Sequence, residues 1–221
     1  MLLDTAHRAK LDPSDDDLFY AQPRFVTHVD EGFLAQLTKL YRDRIPANSR
    51  VFDMMSSWVS HLPGEVEYAH VEDHGLNAEE LARNKQLDHY FVQNLNKNQT
   101  LPLENDSFDA VVNTVSVQYL QYPEKVFSEI YRVLKPGGIA IFSFSNRMFP
   151  HKAIALWRDG SESSRVSLVK RYFESVPGFG NIETIVNKSE APTILQMMGM
   201  GGGDPFYAVV AEKMVPLAQD S

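Results

Sequence analysis

The chain has 221 residues, 21 lysines and arginines against 29 aspartates and glutamates, a net charge of −8 and no cysteine. With 43% hydrophobic and 23% charged residues it is neither a disordered chain nor a fibrous repeat, and it is long enough to bury a full core. The missing cysteine excludes disulfides, thiolate catalysis and thiolate-bound zinc, the acidic balance argues against nucleic acid as a main partner, and without a run of about 18 apolar residues no membrane span is expected.

Met1 to Lys10 has no apolar stretch that could act as a signal sequence, so a cytoplasmic protein is expected. Residues 1–18, with the acidic run Asp12-Pro13-Ser14-Asp15-Asp16-Asp17, read as a loose, solvated arm. Phe33, Leu34, Leu37, Leu40 and Tyr41 then recur at helical spacing over 31–44, with Asp30 as N-cap. Short apolar runs follow at 51–55, 68–71, 90–92 and 108–113, with a capping-box-like helix start at Asn77-Ala78-Glu79-Glu80 between the second and third. Pro123 opens a strongly amphipathic helix bearing Val126, Phe127, Ile130, Val133 and Leu134, expected to end at Gly137-Gly138. Residues 139–144 form the clearest buried strand. Residues 150–174 look helical, with Pro150 at a start. The runs 182–186 and 206–211 have no helix between them and should pair antiparallel.

Strands alternating with helices predict an α/β chain with a parallel sheet and right-handed crossovers, finished by an antiparallel hairpin. We expect an N-terminal arm and lid helix over 1–47 and one main domain over 48–221. In such sheets ligands sit at the carboxyl ends of the strands, which selects the loops at 53–61, 72–77, 94–98 and 113–119. The first of these has no glycine before Gly64, so a dinucleotide fingerprint is absent, and no Gly-Lys-Ser/Thr P-loop occurs. Hydride and phosphoryl transfer are thereby disfavoured. His70 and His74 lie four apart on a strand without a third ligand of clear spacing, so no metal site is expected. The methionine- and glycine-rich stretch 197–205 reads as a hairpin loop.

Leu101-Pro102-Leu103-Glu104-Asn105-Asp106-Ser107-Phe108-Asp109 and Glu129-Ile130-Tyr131-Arg132-Val133-Leu134-Lys135-Pro136-Gly137-Gly138 resemble two blocks of class I S-adenosylmethionine-dependent methyltransferases of the type-11 (UbiE-like) branch, at the separation that branch has. The likeness covers residues 48–145. The run Ser56-Ser57-Trp58-Val59-Ser60-His61 is similar to a plant and cyanobacterial subgroup with a glycine-poor first loop. The resemblance implies a Rossmann-like, doubly wound, mostly parallel seven-stranded sheet with helices on both faces, S-adenosylmethionine as cofactor and a small-molecule acceptor. Methyl transfer from a sulfonium needs positioning and exclusion of water more than a catalytic dyad.

Carried over by position, the relatives' glycine-rich cofactor loop falls on Asp53, Met54, Ser56, Ser57 and Trp58. Gly75 stands where relatives place the acid that bonds the ribose, with Glu72 and Asp73 just upstream and Leu76 and Asn77 just after. Leu95 and Asn96 fall beside the adenine, and Ser116 in the loop that faces both cofactor and acceptor. Tyr119 is expected to orient the acceptor, and His28 or His151 to act as base where the acceptor needs one. Tyr20, Arg24, Asn146 and Arg147 are expected to bind the acceptor, with Tyr20, Arg24 and His28 on the lid. Several of these have structural readings too: Asn77 as a helix cap, Tyr119 as packing, Arg147, His151 and Lys152 as solvated surface. Loss of the loop glycines leaves a second reading open, a methyltransferase-fold protein that binds a ligand or partner without catalysis.

Overall fold

Apolar side chains on alternate strand positions need cover on both faces of the sheet, and the chain supplies it. The computed structural model describes residues 2–187 and 203–215. Seven strands form one sheet: β1 (Arg50–Met54), β2 (His70–Gly75), β3 (His89–Val92), β4 (Phe108–Thr114), β5 (Leu134–Phe144), β6 (Phe179–Asn187) and β7 (Phe206–Lys213), in the order β3-β2-β1-β4-β5-β7-β6. The first five pair in parallel, and β7 lies antiparallel between β5 and β6. The sheet is therefore doubly wound and mostly parallel, ending in the antiparallel hairpin that the sequence indicates.

Phe52, Met54, Val111, Ala140, Phe142, Phe144, Tyr207 and Val209 point to one face. There they meet Val126, Phe127, Ile130 and Val133 of α5 (Pro123–Val133), Trp157 of α6 (Ala155–Arg158) and Leu168, Val169, Tyr172 and Phe173 of α7 (Glu162–Glu174). Val51, Val71, Ala110, Val112, Ile141, Ala208 and Val210 point to the other, against Phe33, Leu37, Leu40 and Tyr41 of α3 (Glu31–Arg44). Asp30 caps α3 by accepting from Phe33 N (2.8 Å), as its sequence suggests. A short α4 (Ala78–Arg83) follows β2.

Three expectations need correction. The helix from Pro123 ends at Val133, and Lys135-Pro136-Gly137-Gly138 belong to β5. The pairing jumps there from Phe108↔Leu134 to Ala110↔Ile139. A side chain on Gly138 would lie 3.1 Å from the Asp109 carbonyl, so these glycines serve a bulge against β4 rather than a helix cap. Pro150 starts no helix; α6 and α7 are separated at Gly160, and Ser161 caps α7 by accepting from Ser164 N (3.2 Å). The methionine-rich part of the 197–205 stretch lies outside the described residues, apart from Gly203 to Pro205.

The third correction concerns the arm, which is bound. It forms two single-turn helices, α1 (Thr5–Arg8) and α2 (Asp16–Phe19), and buries Leu3 completely. The buried Arg8 guanidinium donates to the Leu3 carbonyl (2.9 Å from Nη2), to the Gln121 carbonyl and to Glu124 (2.5 Å). Lys152 is fully buried rather than solvated, donating to the Ser14 carbonyl (2.8 Å) and pairing with Asp12 (3.0 Å) and Asp16 (3.5 Å). Lys97 closes on Asp15 and Asp17. An acidic run that would repel itself in isolation is thus pinned by lysines distant in the chain.

Arg8→Ala should release this arm. The variant strips Glu124 and two carbonyls of a buried donor, which costs about 2–3 kcal/mol. A fall in Tm of roughly 5–10 °C and faster tryptic cleavage at Lys10 and Arg24 are the expected results. An unchanged cleavage pattern would mean that the arm is held by other contacts.

Candidate functional site

The strand order reverses at β1, between β2 and β4, and that switch point is where an open α/β sheet leaves a crevice. A cavity of about 320 Å³ lies there. The loops after β1, β2, β3 and β4 wall it, and the segment 16–29 together with 147–149 closes over it. Of the residues expected from the sequence, Asp53, Ser56, Ser57, Trp58, Gly75, Leu76, Asn77, Leu95, Asn96, Ser116, Tyr119, Tyr20, Arg24, His28 and Arg147 line it. Met54 does not, because strand alternation turns its side chain into the core beside Phe52. Asn146 and His151 are exposed and are not among the lining residues.

The loop after β1 takes an unusual course. Met55 N donates to His74 Nδ1 (3.0 Å) and Ser56 N to the His74 carbonyl (2.8 Å), so the loop folds onto the end of β2. Met55 sits at φ 56°, the left-handed region that favours glycine. The Ser56 carbonyl comes to rest 2.7 Å from where a Cβ of Gly75 would lie. No side chain fits at Gly75 against this loop without a shift of the backbone.

Glu72 and Asp73 do not line the cavity. Glu72 faces away, accepting from His70 (3.0 Å) and His89 (2.6 Å). Asp73 is completely buried, where it accepts from His74 N (2.6 Å) and Asn84 (3.3 Å). The carboxylate that does reach the cavity is Glu80, from the first turn of α4. It accepts from Ser57 Oγ (2.5 Å) and Arg24 N (2.6 Å). Sequence reasoning treated Glu80 as half of a capping box. Helical phase decides otherwise: Glu79 is exposed, whereas Glu80 is buried with Leu81. The cap itself is Asn77, which accepts from Glu79 N and Glu80 N and donates to the Tyr20 carbonyl (2.8 Å), tying α4 to the arm.

The remaining wall residues are mostly engaged in holding one another. Asn96 donates to Asp16 (2.8 Å) and to the Tyr119 carbonyl (3.0 Å), and accepts from Gln121 N (2.8 Å), so its amide is spent on bracing the arm. Trp58 Nε1 donates to the Val26 carbonyl (3.2 Å) and its ring meets Phe25 edge-on at 6.4 Å. Tyr119 Oη accepts from Phe149 N (2.9 Å) and the two rings stack at 6.2 Å. His28 meets Phe149 edge-on at 5.4 Å, and burial holds its imidazole below the usual histidine range. Arg147 is paired with Asp204 (2.7 Å).

Beneath the loop, Asp53 and Asp73 face each other across β1 and β2. Burial pushes the Asp53 carboxyl up to about 7, moderated by the hydroxyls of Ser56 (2.8 Å) and Ser60. Burial and then the neighbouring charge of Asp53 hold Asp73 well above the ordinary range. The two share protons as a pair. His74, completely buried, accepts Met55 N–H at Nδ1 and donates from Nε2 to the Gln93 carbonyl (2.8 Å). Burial lowers it to about 4, so it is a neutral strut at physiological pH.

Fold and cavity together define a doubly wound α/β domain with a cavity at its switch point. Over residues 44–142 the chain matches the family described as "Methyltransferase domain". The chain is 31% identical over 98 residues to the biotin biosynthesis bifunctional protein BioHC of Teredinibacter turnerae, a match covering 43% of this chain and 17% of that protein. It is 35% identical over 95 residues to demethylmenaquinone methyltransferase of Clavibacter sepedonicus, covering 38% of this chain and 39% of that one. The chain therefore spans well under half the length of these curated relatives. A solved SAM-dependent methyltransferase from Archaeoglobus fulgidus superposes with a TM-score of 0.56 at 13% identity, over 83% of this chain and 94% of that one, a likeness of fold. No helix among the described residues is long and apolar enough to cross a membrane.

The carboxyl pair gives the stability a definite pH dependence. Both groups are raised above their unfolded value of about 3.9, so the stabilisation from their protonated form is complete below that value and is lost as pH rises through about 7. Asp53→Asn removes one of the two charges, and the Ser56 and Ser60 hydroxyls can reverse to accept from the amide. At pH 8 the variant should be more stable than the parent by roughly 2–4 kcal/mol, a margin that shrinks toward pH 5. His61 and His74 charge alike in both proteins and cancel. Thermal unfolding of the two proteins across that range checks this; a margin independent of pH would contradict the shared-proton pair.

Proposed function

We propose that this protein transfers a methyl group from S-adenosylmethionine to a small-molecule acceptor held in the switch-point cavity. The observation that carries the reading is the position of the cavity at the carboxyl ends of β1, β2 and β4 within a chain that matches the methyltransferase family over residues 44–142. Its size lies at the lower end of small-ligand pockets.

The residues present fit the cofactor in chemistry, with a change of personnel. Glu80 is the acceptor available to a pair of ribose hydroxyls now that Ser56 fills the space at Gly75. Leu95 offers an apolar surface to a base. The Asp53 carboxyl, close under the first loop, favours the positive charge of a sulfonium or ammonium group. When bound, S-adenosylmethionine supplies a methyl group already activated on sulfur.

The chain then has three tasks. The arm, through Tyr20 and His28, and the first loop, through Trp58, exclude water from the cavity. Tyr119, fixed by its bond from Phe149 N, orients an acceptor against the stacked rings. His28, kept neutral by burial, accepts a proton where the acceptor must lose one. Orientation of this kind supplies much of the acceleration of a two-reactant displacement.

Thermal unfolding with S-adenosylmethionine, S-adenosylhomocysteine and NAD tests the reading. A ligand at about 100 times its Kd adds roughly 2.7 kcal/mol, a rise of about 5–10 °C for a chain of this size. The rise is expected with the two methyl-cycle compounds and not with NAD. Glu80→Gln should weaken S-adenosylhomocysteine about tenfold or more, as loss of a charged hydrogen-bond acceptor does. Glu79→Gln, one residue away and exposed, should leave it unchanged. No shift with either compound at millimolar concentration would overturn the proposal.

A further inference from the structure

One cation on the cavity wall has donor capacity left over. Arg24 comes from the arm and lines the cavity. Its Nη2 donates to the Phe19 carbonyl (2.9 Å), and its guanidinium lies 4.6 Å from the Phe19 ring centre, 5.7 Å from that of Tyr20 and 5.6 Å from that of Phe149. Its Nη1 is buried without a hydrogen-bond partner. Buried donors of this kind are normally satisfied, and an unpaired one on a charged group is expensive.

The surrounding charges do not answer it. Glu80 bonds the backbone N–H of Arg24 and the Ser57 hydroxyl, not the guanidinium. Asp16 is taken by Lys10 (2.7 Å), with Lys152 at 3.5 Å. The other arginine of the cavity, Arg147, is paired with Asp204. Arg24 is held flat by aromatic rings on the arm, so its planar fork is ordered before a ligand arrives, which is the arrangement that suits a carboxylate.

We propose that Arg24 is the docking group for a carboxylate carried by the methyl acceptor, so that the substrate is a small monocarboxylate with a flat or apolar body. The word acceptor rests on the methyltransferase reading; the anion site does not. A single negative charge is favoured over a phosphate dianion because the carboxylates of Asp16 and Glu80 line the same cavity. The flat or apolar body follows from the slot beside Arg24, where Tyr119 and Phe149 stack at 6.2 Å and 28° and Tyr20 meets Phe149 edge-on at 6.5 Å.

Benzoate and benzamide, nearly equal in shape and different in charge, are the probes. They are titrated by calorimetry against the full-length chain with and without S-adenosylhomocysteine, beside inorganic phosphate. Benzoate should bind at least about tenfold tighter than benzamide. Arg24→Gln should abolish that preference without changing the far-ultraviolet spectrum. Arg24→Lys, a milder change that keeps the charge and loses the fork, should retain only part of it.

Equal affinity for benzoate and benzamide in the parent, or a preference that survives Arg24→Gln, would overturn the assignment. Tighter binding of phosphate than of benzoate at the same site would overturn the carboxylate class. The S-adenosylhomocysteine titration separates this from the methyltransferase reading. Benzoate discrimination without nucleoside binding defeats that reading and keeps the anion site, and the reverse result defeats the role of Arg24 alone.

Discussion

The docking of the first loop onto the end of β2 is the constraint on which the rest of the site depends. Two hydrogen bonds to His74, one to its ring and one to its carbonyl, hold Met55 and Ser56 against the neighbouring strand. With that contact go the left-handed backbone at Met55, the bare glycine at position 75 and the hydrogen bond from Ser57 to Glu80 on the cavity wall. It also seals Asp53 and Asp73 beneath the loop, where two carboxyls at neighbouring strand positions cannot both ionise at low cost. A buried neutral histidine and a carboxyl pair held above the ordinary carboxylate range are the electrostatic consequence of one backbone path.

The two blocks that give the chain its resemblance to methyltransferases perform a different task, away from the cavity. Leu101 N donates to Glu129 (2.8 Å), Arg132 donates to the carbonyls of Leu101 (3.0 Å) and Leu103 (2.7 Å), and Lys135 sits on both oxygens of Asp109 at 2.8 Å. The blocks clamp each other and fix α5 and β5 against β4. A sequence signal carried by such a clamp reports the scaffold with high specificity and says little about the ligand. Apart from Leu101's near neighbours in the chain, the walls of the cavity draw on other segments, above all 16–29 and 53–61.

The N-terminal arm shows how weak local preference becomes firm structure. Neither of its helices exceeds one turn, far below the length at which a helix holds alone. The arm is ordered by Arg8, Lys97 and Lys152 reaching across to it or from it, and by Asn96, whose amide joins it to the turn before α5. Because the arm also carries Tyr20, Arg24 and His28, the same contacts that stabilise it complete the cavity.

Periodicity, capping and strand alternation were enough to read most of the elements and the parallel-then-antiparallel order from the sequence, but not the end of α5, the break between α6 and α7 or the helices of the arm. These depend on neighbours within a turn or a strand, and a one-residue slip in β1 or β4 would put every apolar side chain on the wrong face. The positions of most candidate site residues were legible for the same reason, since they fall in the loops at the strand ends. The tertiary structure alone decided that Glu80 rather than Glu72 or Asp73 lines the cavity, that Asn96 is consumed by bracing, that Lys152 is buried and that the acidic arm is bound. Each of those depends on a partner far away in the chain, and on which of several identical groups the packing leaves unpaired.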